Sequence, residues 1–432
     1  MPQPDSRHPQ TLEDWLVHLE RVHPRSIEMG LDRVGRVRAA MGLAPAFPVI
    51  AVGGTNGKGS VCAMLEAILS EAGYRVGSYT SPHLLRYNER VRVARREVGD
   101  TELCGAFERV EAARGEVSLT YFEFGTLAAV QLFADATVDV AILEVGLGGR
   151  LDAVNVFDSD CAVVTCIDFD HTEYLGNTRE AIGFEKAGIF RAGRAAVCAD
   201  PDPPDSVGRR AREIGARLLQ FSRDFGCSGD RLQWDYWGPG GRRAALPLPA
   251  LRGGFQLRNA AAALAVLDGM RERLPVTMRD IRQGLLGIEL AGRFQVLPGR
   301  PTVVLDVAHN PHAAGGLAGN LAVLGRFRKS LAVFAMLRDK DIAGVARAVK
   351  GQFDAWLVAG IAHPRGASAA DIAAALRAEG VCEILEFESP RQAFARACEI
   401  AGQDDKICVF GSFFTVSDVL AQLQASRRRG SV

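Results

Sequence analysis

The chain has 432 residues, with 51 Lys plus Arg set against 51 Asp plus Glu, and 48% of it is apolar. That length exceeds one ordinary core and predicts two domains, while the balanced charge excludes a global field that would draw the chain to nucleic acid or an anionic membrane. Nine scattered cysteines without a C-x-x-C pair exclude a disulfide framework and predict reduced thiols in a reducing cytosol.

The start, Met1 to Gln10, is polar and Pro-containing, and no later run reaches transmembrane length, so a cytoplasmic chain is expected, neither exported nor membrane-embedded. Helical spacing of Leu12, Trp15, Leu16 and Leu19, then a polar joint at His23-Pro-Arg-Ser26 and a second helical pattern, predict a helical lead-in over residues 11–43.

The stretch Val49-Ile-Ala-Val-Gly-Gly-Thr-Asn-Gly-Lys-Gly-Ser60 stops an apolar run in glycines around a lysine. It reads as a buried strand feeding a phosphate loop. Gly53, Gly54, Gly57 and Gly59 can take φ > 0 and let main-chain N–H groups close on phosphate oxygens, and Lys58 supplies a point charge. Helical periodicity from Ser60 to Ala72 aims a helix N-terminus at the same anion, with Ser60 placed to offer its hydroxyl to Mg²⁺. Gly59 interrupts the general pattern G-x-x-x-x-G-K-[ST]. A plain strand-to-helix glycine turn is the structural alternative, but four glycines, a lysine and a hydroxyl together favour a nucleotide.

Alternation follows: an apolar segment at Arg75 to Tyr79, helices at Thr101 to Arg114 and Phe122 to Ala134, and strands at Val138 to Val145 and Cys161 to Ile167. Near-continuous apolar strands between helices predict a parallel sheet covered on both faces, with ligands at its carboxyl edge. Residues 200–250 break the rhythm and suit a small antiparallel excursion. From Pro301 alternation restarts, with strands at Thr302 to Asp306, Leu331 to Ala335, Ala355 to Ala359 and Ile407 to Phe410. The fold class is α/β, a P-loop parallel-sheet ATPase domain over 1–296 followed by a smaller Rossmann-like α/β domain over 297–432, with a hinge near Phe294 to Arg300 at Pro298 and Gly299.

Acids stand where strands should stop. Glu144 ends one strand and is a good Mg²⁺ ligand, or else caps the next helix. Asp168-Phe-Asp-His171 ends the next, although His on Mg²⁺ is unusual because that ion prefers oxygen.

Gly54-Thr-Asn-Gly-Lys-Gly-Ser60, Ser81-Pro-His-Leu84, Glu89-Arg90, Glu144-Val-Gly-Leu-Gly-Gly-Arg-Leu-Asp152, Asp170-His171, Glu185-Lys-Ala-Gly-Ile189, Gly292-Arg-Phe294, Asp306-Val-Ala-His-Asn-Pro311 and Asp339-Lys-Asp341 run in one order along the chain. Together they resemble the folylpolyglutamate synthases, and most closely the bacterial bifunctional dihydrofolate synthase/folylpolyglutamate synthase family within the Mur ligase superfamily.

The resemblance implies an ATP-dependent amide ligase: a substrate carboxylate takes the γ-phosphoryl group, and the amine of L-glutamate attacks the acyl phosphate. It implies that Thr55, Asn56, Gly57, Lys58, Gly59 and Ser60 hold ATP phosphates, with Asn259, Arg293 and Asp306 as further ATP contacts. Ser81, Glu144 and His171 would bind Mg²⁺. Lys58, Lys186 and His309 would be catalytic, with Lys186 carbamylated so that a cation becomes an oxygen ligand. The alternative for Lys186 is an ordinary lysine paired with Glu185.

The expected pterin-binding segments are Glu28-Met29-Gly30-Leu31, Thr120-Tyr121-Phe122-Glu123 and Leu151-Asp152-Ala153. Tyr121 and Phe122 could stack on a flat heterocycle and Asp152 or Glu123 accept its N–H bonds, or the two aromatics merely start a core helix. The implied partners are small molecules alone, dihydropteroate, tetrahydrofolates and L-glutamate, acting on a monomer. Phe255, where many relatives have histidine, and Gln295, where an acid often stands, depart from the pattern. A Mur-type ligase acting on a peptidoglycan precursor is the rival enzyme, against which Ser81-Pro-His-Leu84 speaks. A GTP-binding switch would carry an N-K-x-D motif, and the chain has no Asn-Lys pair.

Overall fold

The computed structural model describes residues 9–25, 27–230 and 232–429. The chain separates into two compact units, one holding the chain up to Pro82 with Tyr87–Leu248 and Arg258–Gly287, the other His83–Arg86, Pro249–Leu257 and the chain from Ile288.

In the first unit, strands β1 (Val49–Gly53), β2 (Val76–Tyr79), β3 (Val91–Val93), β4 (Arg96–Glu97), β5 (Val140–Glu144), β6 (Cys161–Val164), β7 (Ala195–Cys198) and β8 (Arg217–Gln220) form one sheet in the order β4-β3-β2-β5-β1-β6-β7-β8. Every pair from β2 to β8 is parallel, and β3 and β4 add an antiparallel edge. β1, β2, β5, β6 and β7 are buried throughout, the mark of strands covered on both faces. β1 lies between β5 and β6, where the chain's path across the sheet reverses, which is where ligands of such sheets bind.

The helical lead-in is Leu12–Val22 and Asp32–Ala40, with Trp15, Leu19, Val34 and Val37 in the core. Ser26, in the expected polar joint, lies outside the described residues. Thr11 caps the first helix through a capping box with Asp14. The βα rhythm continues further than expected, through helix Asp205–Ile214 and β8. The antiparallel excursion is therefore shorter, confined to β9 (Gly226–Gly229), β10 (Gln233–Gly238) and β11 (Gly241–Pro247).

The second unit has β12 (Gln295–Leu297), β13 (Thr302–Leu305), β14 (Ser330–Phe334), β15 (Ala355–Ala359), β16 (Ile384–Phe387) and β17 (Lys406–Phe410), ordered β12-β13-β17-β14-β15-β16. Only β12 runs antiparallel. Pro298 and Gly299, read in the sequence as a hinge, lie in the turn joining the antiparallel pair β12 and β13. No described helix is long and apolar enough to cross a membrane.

Candidate active site

Thr55, Ser81, Glu144 and the 168–171 segment all sit at the ends of β1, β2, β5 and β6, and parallel pairing brings those ends to one sheet edge. At β1 the helix begins at Lys58, two residues earlier than its periodicity suggested, and runs to Glu71. Gly59 and Ser60 therefore belong to its first turn. Gly57 caps it at φ +90, and a Cβ there would meet Asn259 Oδ1 at 2.7 Å, so both the conformation and the close approach demand glycine. Asn259, expected near ATP from resemblance, thus lies against the phosphate loop.

The end of β6 grips this loop. Thr55 N–H donates to Cys166 O at 2.8 Å, Thr165 Oγ1 donates to Asn56 O at 2.6 Å, and Asn56 N–H donates to Cys166 Sγ at 3.2 Å. Thr55 Oγ1 donates to Asp168 O at 3.0 Å. Lys58 Nζ donates to Gly54 O at 3.1 Å and Thr55 O at 3.4 Å, folded over its own loop. Thr165 and Cys166 were not singled out from sequence, where they read only as the tail of an apolar strand.

Ser81 N–H donates to Glu144 Oε2 at 3.0 Å, joining two of the three expected metal ligands. His171 takes the left-handed conformation, φ +50, with Nε2 3.9 Å from Asp170 Oδ1. Among the described residues no group of three or more His, Cys, Asp or Glu could hold a metal. The expected set has two such side chains plus a hydroxyl. A buried carboxylate, a serine oxygen and an imidazole nitrogen are donors that Mg²⁺ or Mn²⁺ accepts, so the set fits such an ion.

Lys186 is buried on helix Arg179–Ala187. Glu185 is not its partner: Glu185 Oε1 accepts from Arg150 Nη2 at 2.8 Å and Nε at 3.1 Å. Burial, reinforced by the neighbouring charge of Lys58, pushes the Lys186 ammonium down to about 7, against the opposing pull of Cys166, Asp170 and Asp152.

The three expected substrate segments converge on the loop after β5. Gly30 N–H donates to Leu151 O at 3.2 Å, a Cβ on Gly148 would meet Met29 Cε at 3.3 Å, and one on Gly146 would meet Phe122 Cζ at 2.7 Å. Arg33, which the sequence did not single out, ties Glu28 (2.7 Å) to Glu123 (3.1 Å). Glu123 also closes a capping box with Thr120. Its carboxylate is thus already engaged, and no spacing rule links Arg33 to a residue ninety positions on.

Asp152 is committed as well. Its oxygens accept from Leu147 N–H (2.8 Å) and Val154 N–H (3.0 Å), and Ala153 follows in the short 3₁₀ turn it caps. Burial outweighs these bonds and pushes its carboxyl up to about 7. Tyr121 and Phe122 do start a helix, Tyr121–Asp135. The Arg90 guanidinium lies 5.4 Å from the Tyr121 ring centre, and Phe122 packs 5.7 Å from Tyr79.

In the second unit, Asp306 follows β13 and accepts from Phe294 N–H and Ala308 N–H, both at 2.8 Å, while burial raises its carboxyl. His309 Nδ1 lies 2.8 Å from Val307 O, which can only accept, so Nδ1 carries the proton. The Arg293 guanidinium stands 4.9 Å from the Phe413 ring centre, and His309 lies 6.3 Å from the same ring. Arg293 and His309 thus share Phe413, an aromatic the sequence offered no motif for, and both charges act on the Asp306 carboxyl. The Phe255 ring lies tilted against His312, centres 5.1 Å apart, and Gln295 Oε1 accepts from Gly292 N–H at 3.1 Å.

Known proteins carry both halves of this arrangement. Residues 52–267 match the Mur ligase middle domain and residues 292–413 the Mur ligase glutamate ligase domain, which define the class as a Mur ligase. Over 97% of both chains the sequence is 45% identical to the dihydrofolate synthase/folylpolyglutamate synthase of Escherichia coli (strain K12), and it is 39% identical to that of Haemophilus influenzae over 96% of this chain and 98% of the other. The structure of E. coli FolC in complex with DHPP and ADP has a TM-score of 0.92 at 44% identity, covering 99% of this chain and 100% of that one. A bifunctional folylpolyglutamate synthase/dihydrofolate synthase with Mn, AMPPNP and L-glutamate bound has a TM-score of 0.89 at 45% identity, covering 98% and 100%. This chain belongs to the dihydrofolate synthase/folylpolyglutamate synthase family of ATP-dependent Mur ligases.

Proposed function

We propose that the chain joins L-glutamate to dihydropteroate, giving dihydrofolate, and to reduced folates, giving polyglutamates, at the cost of ATP. The observation that carries this reading is the 45% identity over 97% of both chains with a relative named for both activities.

The acceptor's carboxylate oxygen attacks the γ-phosphorus of ATP and ADP leaves; the amine of glutamate then attacks the acyl carbon and inorganic phosphate leaves with that oxygen. Residues Thr55 to Ser60 cradle the phosphates, and Lys58, now on the carbonyls of Gly54 and Thr55, turns its ammonium to the γ-phosphoryl oxygens. A divalent ion at Ser81, Glu144 and His171 supplies charge neutralisation when bound.

Lys186 is proposed to be carbamylated. Its buried amine adds to carbon dioxide, forming an N–C bond and releasing one proton to solvent, which replaces a buried cation with an anion. Asn259, Arg293 and Asp306 are assigned to ATP and His309 to catalysis. The loop 146–152, with Glu28 to Leu31 and Thr120 to Glu123 on it, is assigned to the acceptor. Asp152 shapes that loop through Leu147 and Val154. The chain is proposed to work as a monomer in the cytoplasm.

Release of ADP is the test, measured with dihydropteroate, tetrahydrofolate or a muramyl peptide precursor, each with and without L-glutamate. Glutamate-dependent release with both pterins and none with the muramyl precursor is expected. Turnover of the muramyl precursor alone would establish the rival Mur-type reaction.

A further inference from the structure

Lys406 opens β17, a strand buried along its whole length. Its exposure is 3%, yet among the described residues its ammonium has no hydrogen-bond or ion-pair partner; Nζ lies instead 5.1 Å from the centre of the Phe327 ring. Lys406 lines a cavity of about 300 Å³ together with Phe327, Ser330, Gln352, Phe353 and Asp354. The cavity lies where β14, β15 and β17 begin, whereas Asp306 and His309 follow the end of β13, so the parallel strands place the two on opposite edges of the sheet.

Nearby carboxylates do not account for this lysine. Asp354 is exposed, accepts from Ser330 N–H at 2.7 Å, and is outside ion-pair distance of Lys406. Asp405 accepts from Lys329 N–H (3.0 Å) and Gly402 N–H (2.7 Å). Exposed Arg326, Arg328 and Lys329, just before β14, add positive charge to this end of the sheet. A buried ammonium without a partner is costly, and a methionine would fill the same space without that cost. A cation kept there, on a residue that lines a cavity, has the chemistry of an anion receptor.

We propose that this cavity binds a small phosphate or carboxylate anion on Lys406, at a site remote from Asp306 and His309. The test is isothermal titration of inorganic phosphate and, separately, of glutarate into the full chain, Lys58→Ala and Lys406→Met. One anion is expected to bind saturably to the full chain and to Lys58→Ala, and roughly tenfold to a hundredfold more weakly to Lys406→Met, the loss of one charge-assisted contact. Folate turnover by Lys406→Met should be unchanged. Which anion binds separates a phosphate source from a carboxylate source. Saturation by neither anion, or equal binding by Lys406→Met, overturns the proposal. Should Lys406→Met fail to fold, Lys406→Gln takes its place: weaker anion binding than the full chain supports the site, and equal binding refutes it.

Discussion

Lys186 shows how burial changes what a residue can do. A lysine in water is an ammonium at neutral pH, but one pushed down to about 7 by burial and by Lys58 is half neutral amine there, the form that attacks carbon dioxide. Because the shift is downward, the reactive form gains as pH rises through about 7 and falls to about a tenth one unit below. Added bicarbonate should therefore raise ligase activity far more at pH 8 than at pH 6, with an added carboxyl in the intact mass, and Lys186→Met should lose the response. Equal stimulation at both pH values, or a free amine throughout, would contradict carbamylation. The alternative for Lys186, an ordinary lysine paired with Glu185, is not what the fold shows, because the helix turns Glu185 to Arg150. Asp152 was legible as special, yet its commitment to two loop N–H groups depends on the path of residues 146–154, which no periodicity encodes.

Among elements, the strands at the middle of each sheet were the readable ones. β1, β5, β14, β15 and β17 are apolar runs buried on both faces, and their expected bounds agree to within a few residues. β8 and β16 went unread because they are edge strands with exposed or half-exposed residues, and β7 because Ala-Ala-Val-Cys gives little apolar signal. The hairpin was foreseen as antiparallel, but its anchor was not. Asp268, on helix Gly254–Met270, accepts from Tyr236 Oη (2.6 Å), Gly240 N–H (3.0 Å) and Arg243 Nη2 (2.5 Å), fastening β10 and β11 to that helix. Asp268→Asn leaves the largely buried Arg243 cation without its counter-charge, and roughly 3 kcal/mol of stability should be lost in denaturant unfolding. KM for ATP should not change; a shift in KM with stability intact would mean the hairpin serves the site.

At the scale of the molecule, the proposed acceptor segments at residues 28–31, 120–123 and 151–153 are far apart in sequence, and only the fold brings them to one loop, through Gly30 to Leu151, Phe122 on Gly146 and Arg33 between Glu28 and Glu123. Residue patterns gave two α/β halves and a phosphate loop; the resemblance gave the reaction; the convergence needed three dimensions. This assembly is proposed to activate a pterin carboxylate as an acyl phosphate. Its most direct test is to supply dihydropteroate labelled with oxygen-18 in its carboxylate, together with ATP and L-glutamate, and to follow the label by mass spectrometry. Dihydrofolate together with inorganic phosphate carrying one labelled oxygen is expected, and neither product from Lys58→Ala. Unlabelled phosphate accompanying dihydrofolate, or an enzyme that extends tetrahydrofolate but never glutamylates dihydropteroate, would contradict it.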